Sequence, residues 1–223
     1  MGILEEIESE SKWRIIQALA RKDRTPSELA RILRTSVANI TQHLSKLEST
    51  GLVKRVGVER GSVGRPFARY SLGRGFVLLV EAVPGEARKV SLEADQDMVV
   101  HLNIWDIPQR EYHRYVEEFW WKIQDYMEWI EALAVFGSVA RGNARAGSDI
   151  DMLILARKNS KRLEERFGAK MVGPRGKGRM VMAKVFSSRE FDDMLKAGSA
   201  FAKEVVSTMR TIYDPNRVLE VVK

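Results

Sequence analysis

Gly137-Ser-Val-Ala-Arg-Gly-Asn-Ala-Arg-Ala-Gly-Ser-Asp-Ile-Asp151 organises the second half of the chain. It follows the apolar run Leu133-Ala-Val-Phe136 and leads into Met152-Leu-Ile-Leu155. Two apolar runs of strand length flank a polar, glycine-bounded turn, and the second begins with carboxylates at i and i+2. Residues at that spacing share one face of a strand, so Asp149 and Asp151 are expected to project together. A pair of acids at a strand mouth suits a hard divalent cation, and Mg²⁺ commonly takes one or two carboxylates plus substrate phosphates. A helix starting at Gly137-Ser138 would turn backbone N–H groups toward a phosphate. These features outline a nucleoside-triphosphate site.

The stretch resembles the signature of polymerase-β-type nucleotidyltransferases of the minimal branch, G-S-x-A-R-G-x(5)-S-D-x-D. Gly137, Ser138, Ala140, Arg141, Gly142, Ser148, Asp149 and Asp151 occupy its fixed positions. The resemblance implies Asp149 and Asp151 as catalytic metal ligands for Mg²⁺. It implies Gly137, Ser138, Arg141 and Ser148 as nucleotide-binding residues, and a nucleoside triphosphate as ligand or substrate. Active relatives usually carry a third carboxylate on a later strand. The expected strand is Arg179–Phe186, and where the acid would align stands Met182, with Met180 and Lys184 on the same face. A missing ligand that would also activate the nucleophile predicts weakened transfer. Glu190 could substitute only if the helix expected to open at Ser187-Ser-Arg-Glu190 bends back toward the site.

The first 75 residues have helix grammar. Trp13, Ile16 and Leu19 recur at helical spacing, and Thr25-Pro-Ser-Glu28 is a capping box with proline at the first helical position. Arg34-Thr35 makes a turn, and a third helix is expected from about Ser36 to Thr50, stopped by Gly51, with Val37, Ile40, Leu44 and Leu47 as its buried stripe. Leu52–Val56 and Pro66–Leu72 read as two strands joined by a basic loop. Helices across a tight turn followed by a basic hairpin predict a winged helix-turn-helix. Ser45–Lys54 and Gly64–Leu72 resemble the winged-helix repressors of the ArsR/MarR type, without a metal-sensing cysteine pair. The expected duplex-DNA contacts are Thr35 and Ser36 to phosphate, Asn39 and Gln42 to adenine, Lys46 to phosphate or guanine, and Arg60 and Arg65 from the wing.

Charge divides the 223 residues into three. Residues 1–75 hold 14 basic and 8 acidic side chains, residues 76–131 hold 5 and 12, and residues 132–223 hold 18 and 10. The overall charge of +7 therefore conceals two basic ends around an acidic middle. The domains follow this division: a winged-helix DNA-binding domain at 1–75, connecting strands and a long amphipathic helix at 76–131, and a nucleotidyltransferase-like domain at 132–223. In the middle, Phe76–Val83, Lys89–Glu93 and Met98–Ile104 read as strands, and a helix is expected over about 107–130. Its tyrosines and tryptophans suit sheet packing or a dimer contact better than base stacking, because the flanking charges are acidic.

The remaining readings are exclusions. The chain has no cysteine and three histidines, which removes disulfides and thiolate metal sites and leaves little for zinc. No run of about 18 apolar residues is present, and Met1-Gly-Ile-Leu-Glu-Glu6 lacks a signal-peptide core, so a cytoplasmic protein is expected. Gly173-Pro-Arg-Gly-Lys-Gly178 fails the Walker spacing and reads as a mobile basic hairpin able to touch a polyanion. The expected fold class is α+β, with an N-terminal winged helix-turn-helix and a C-terminal mixed-sheet α/β domain. The expected function is a DNA-binding transcription regulator carrying a nucleotide- and Mg²⁺-binding domain, homodimeric because half-site recognition favours two-fold symmetry. The alternative is an active Mg²⁺-dependent nucleotidyltransferase that moves a nucleoside monophosphate to a protein, RNA or small-molecule hydroxyl, with an antitoxin-like role as a variant.

Overall fold

The structure is a computed structural model that describes residues 7–59 and 67–220. The chain divides into two compact units, residues 1–95 and 96–223. The acidic middle of the sequence is split by this division: its two strands cluster with the first unit and its helices with the second.

The first unit opens with α1 (Glu10–Arg21), α2 (Pro26–Leu33) and α3 (Val37–Ser49). The capping box is formed, with Thr25 N–H donating to Glu28 Oε2 at 2.8 Å and Glu28 N–H to Thr25 Oγ1 at 3.2 Å. That backbone contact to Thr25 is the main reason the Glu28 carboxyl sits below its ordinary range. Arg34 ends α2 in the left-handed conformation, φ 53°, which sets the turn into α3. Ile15, Ile16, Leu19, Leu29, Ile40, Leu44, Leu47, Leu52, Val53 and Tyr70 form the core of this unit. Two expected stripe residues lie outside it: Trp13 is 39% exposed and Val37 46%. Ile15, which the helical spacing of Trp13, Ile16 and Leu19 leaves out, is fully buried.

Strands β1 (Val53–Glu59) and β2 (Phe67–Leu72) form the antiparallel wing, and Arg24 bridges to Tyr70 beside it. Strands β3 (Phe76–Val83) and β4 (Glu86–Glu93) make a separate two-stranded sheet with Leu79, Val80, Val83 and Leu92 exposed.

The second unit begins with a correction. Residues 98–104 form part of helix α4 (Gln96–Trp105), where a strand was expected. Val100 and Ile104, one turn apart, are its buried contacts, and the Asn103 amide donates to Ile212 O at 3.0 Å. A short apolar run supports either period, and packing on the sheet selects the helical one. The long helix expected over 107–130 is also broken. A 3-10 turn (Arg110–Tyr112), α5 (His113–Ile123) and a second 3-10 stretch (Gln124–Trp129) follow one another. Asp106, just ahead of them, pairs with Arg210 at 2.9 Å.

Then come β5 (Ile130–Phe136), α6 (Gly137–Arg141), β6 (Ile150–Ala156), α7 (Ser160–Phe167), β7 (Ala169–Val172), β8 (Arg179–Ser187), α8 (Ser188–Lys196), α9 (Ala200–Thr208) and β9 (Arg210–Tyr213). The five strands are ordered β7-β8-β6-β5-β9, with β6 and β8 parallel and the other pairs antiparallel. Alternation divides the strand residues between two cores. Leu133, Val135, Ile150, Met152, Val181 and Ala183 pack with Val100, Phe119, Trp120 and Phe167. Ala132, Ala134, Phe136, Leu153 and Leu155 pack with Phe191, Ala202 and Val205 on the other face. Asp151 lies between Ile150 and Met152, so it faces the α8–α9 side, as a period of two requires.

A candidate nucleotide and metal site

The end of β5 meets the start of β6 at the register pair Phe136–Asp151. Gly137 follows directly at φ 71°, and a Cβ placed there would come within 2.8 Å of Asp151 Oδ2. Glycine is therefore required for its backbone angle and for the approach of the carboxylate. Gly142, φ 80°, closes the single turn of α6. The connection to β6 is pinned from outside: the Gln109 amide both donates to Ala144 O (2.9 Å) and accepts from Ala144 N–H (2.8 Å). Tyr112 Oη donates to Arg145 O at 2.9 Å.

Asp149 is exposed and Asp151 half-buried at the strand mouth. Burial holds the Asp151 carboxyl above its ordinary range. The charges of Asp149 and Glu204 push the same way, and those of Arg141 and Lys184 pull against them. Ser148 sits in the turn before them, its Oγ accepting Arg145 N–H at 3.0 Å. Gly137 N–H donates to Thr208 Oγ1 at 3.2 Å, so this expected phosphate donor is engaged by α9. Ser138 is half-buried, and Arg141 is exposed and paired with Glu204 at 3.4 Å.

The parallel register sets Met182 directly beside Asp151 on β8, with Lys184 two residues on. Glu190 is at the other end of that strand and closes a capping box, accepting Ser187 N–H at 2.7 Å and Ser187 Oγ–H at 2.8 Å. It is committed to that cap and stays away from the acid pair. Glu204 and Thr208, one turn apart on α9, contact Arg141 and Gly137 of the signature turn, neighbours that the motif did not reveal. Their only sequence signal is an i, i+4 spacing on a helix whose docking was not legible. Among the described residues no three His, Asp or Glu side chains gather closely enough to hold a metal by themselves. Asp149 and Asp151 could hold one divalent cation only with further ligands, such as phosphate oxygens, from outside the chain.

In the first unit α3 is capped by Ser36, whose Oγ accepts Asn39 N–H at 3.2 Å. The Asn39 amide donates to Thr35 Oγ1 at 3.1 Å and is half-buried. Thr35, Ser36 and Asn39 thus serve the helix entrance, while Gln42, Ser45 and Lys46 are exposed. Arg60 and Arg65 lie outside the described residues.

Residues 9–55 match the family model for the bacterial regulatory protein, arsR family, and residues 116–196 match that for the nucleotidyltransferase domain. The chain joins an ArsR-type helix-turn-helix to a nucleotidyltransferase domain. The matched ranges contain α1 to the start of β1 in the one case, and α5 through α8 with the acid pair in the other. No curated protein matches the chain. One similar solved structure is described as "Crystal structure of the toxin-antitoxin with AMP-PNP"; it is 15% identical, with 48% of this chain and 78% of that chain covered and a TM-score of 0.30. Among the described residues of the fusion no helix is long and apolar enough to cross a membrane.

Proposed function

We propose that the chain is a homodimeric, cytoplasmic transcription regulator whose nucleotidyltransferase domain binds a nucleoside triphosphate with Mg²⁺ and transfers its nucleoside monophosphate, with release of pyrophosphate, slowly or not at all. The observation that carries the reading is the corner where Gly137 meets Asp151, with Met182 beside the acid. Two carboxylates support one cation bound with the nucleotide. A side chain without charge or lone-pair basicity at the neighbouring position removes the group that would draw a proton from an acceptor hydroxyl. The chain's own residues then hold phosphate oxygens near Ser138 and Arg141 and keep the acids together at the strand mouth, while bound Mg²⁺ supplies Lewis-acid charge. In the first unit, Gln42 and Lys46 on the open face of α3 support duplex reading, with Thr35, Ser36 and Asn39 fixing the helix start.

Calorimetric titration of ATP, GTP and CTP with and without Mg²⁺ tests the site. The expected outcome is Mg²⁺-dependent binding that disappears in the Asp149→Asn, Asp151→Asn double variant while the melting transition is retained. Unchanged affinity in that variant would remove the acids from the site. Transfer of label from an α-phosphate-labelled triphosphate would favour the second reading, an active nucleotidyltransferase. The Glu204 charge that acts on Asp151 is the observation on its side.

A further inference from the structure

Gly173–Gly178, which joins β7 to β8, plays no part in the function above. It is held in place. Gly173 N–H donates to Glu118 Oε2 at 2.7 Å, and Tyr115 Oη donates to Lys177 O at 2.9 Å. Gly173 has φ 93°, and a Cβ there would lie 2.5 Å from Tyr115 Cε1, so the turn closes on α5 only as glycine. The mobile hairpin expected from its composition is a clamped turn.

The clamp gathers cations. The guanidinium of Arg114 stands 4.5 Å from the Tyr115 ring centre and that of Arg179 5.6 Å. Arg175 and Lys177 project from the exposed turn, and exposed Arg145 is carried by the loop that Tyr112 holds. Tyr112 and Tyr115 are themselves packed ring to ring at 6.4 Å. Among the described residues none of these five cations lies within ion-pair distance of a carboxylate, whereas Arg55, Arg88, Arg141, Lys158 and Arg210 are each paired. The nearest acid of the clamp, Glu118, is occupied by Lys122 and by Gly173 N–H. Because β6 and β8 are parallel with Ile150 opposite Val181, Arg179 and Asp149 leave the sheet at the same end.

We propose that this cluster, on the α5 side of the sheet, binds the phosphodiester backbone of a single nucleic-acid strand at the end of the sheet that also carries the acid pair. Guanidinium forks match phosphate oxygens bidentately, and cations without a protein counter-charge release their counterions on binding. Tyr115 is 4% exposed, so its ring is no platform for a base, and recognition is by phosphate and tolerant of sequence. Arg175 and Lys177 stand on one six-residue turn, with Arg179 at its exit and Arg114 across Tyr115 from it, a footprint of a few phosphates along one strand rather than two backbone tracks across a groove.

The test uses the full chain, mixed-sequence single-stranded RNA and DNA oligonucleotides, and the variant Arg175→Gln, Lys177→Gln, both positions being exposed. Wild type is expected to bind single strands, and the variant to bind about 10-fold more weakly with a salt slope lower by about 1.4. Duplex DNA affinity, set by α3, should stay the same. RNA bound more tightly than DNA would place the 2′-hydroxyl in the contact; equal affinity would assign it to phosphate alone; either supports the proposal. Equal single-strand binding by variant and wild type, an equal loss on duplex DNA, or competition by poly-L-glutamate as strong as by RNA would overturn it. The nucleotide titration of the same variant reads the acid pair separately, so failure of either idea leaves the other measurable.

Discussion

Ionisation of Asp151 works against three influences: partial burial, Asp149 and Glu204. Its folded pKa is raised, so its protonated form is the one the fold favours. The penalty of ionisation is absent below the unfolded value and grows as pH rises through the folded one. Asp151→Asn removes that penalty. The variant is expected to gain thermal stability relative to wild type as pH is raised from about 4 to about 7, with the difference vanishing at the acid end. Melting curves across that range check the sign, and a variant less stable than wild type at neutral pH would contradict it. Mg²⁺-nucleotide affinity should follow the opposite course and strengthen with pH, since only the carboxylate is a ligand. Glycine at 137 belongs to the same arrangement, because any side chain there would push on Oδ2.

At the scale of elements, α3 divides its polar residues between entrance and reading face. Gln42→Ala is expected to cost about 1–3 kcal/mol on cognate DNA and to relax specificity. Lys46→Ala should weaken cognate and unrelated duplexes alike and reduce the salt slope by about 0.9. Fluorescence titrations at several salt concentrations distinguish the two, and a Gln42→Ala loss that is the same on every sequence would reassign it to the backbone. The elements also show what a sequence can reveal. Capping boxes at Thr25 and Ser187, the glycine stop at Gly51 and the strands around the signature turn follow from local chemistry, and all are formed. Local chemistry does not say which surface is available for packing. For that reason Met98–Ile104 read as a strand and is a helix, and β9, four residues with little pattern, was not legible at all. The acids of the site were legible because their spacing is the message. Glu204 and Thr208 were not, since their place depends on how α9 packs.

For the whole molecule the question is coupling. A nucleotide can alter DNA affinity only by binding the two states of the protein unequally, and a 5–150-fold change corresponds to about 1–3 kcal/mol. Operator affinity is expected to change within that range when Mg²⁺-ATP saturates the acid pair, and the change should be absent in the Asp149→Asn, Asp151→Asn variant. Identical operator affinity with and without nucleotide would leave the two units as independent binding modules. The clustered basic and acidic stretches supply charge for such a linkage, and its strength should fall with added salt, as any screened interaction does.

Gly137 and the hydroxyl that receives its N–H are separated by 71 residues of chain. A ribosome adding about 5–20 residues per second covers that interval in roughly 4–14 s. Over that time α1 to α3 and the wing have already left the tunnel, with their own core to fold around. The helix-turn-helix of each new molecule is thus synthesised seconds before the corner at Gly137 can close.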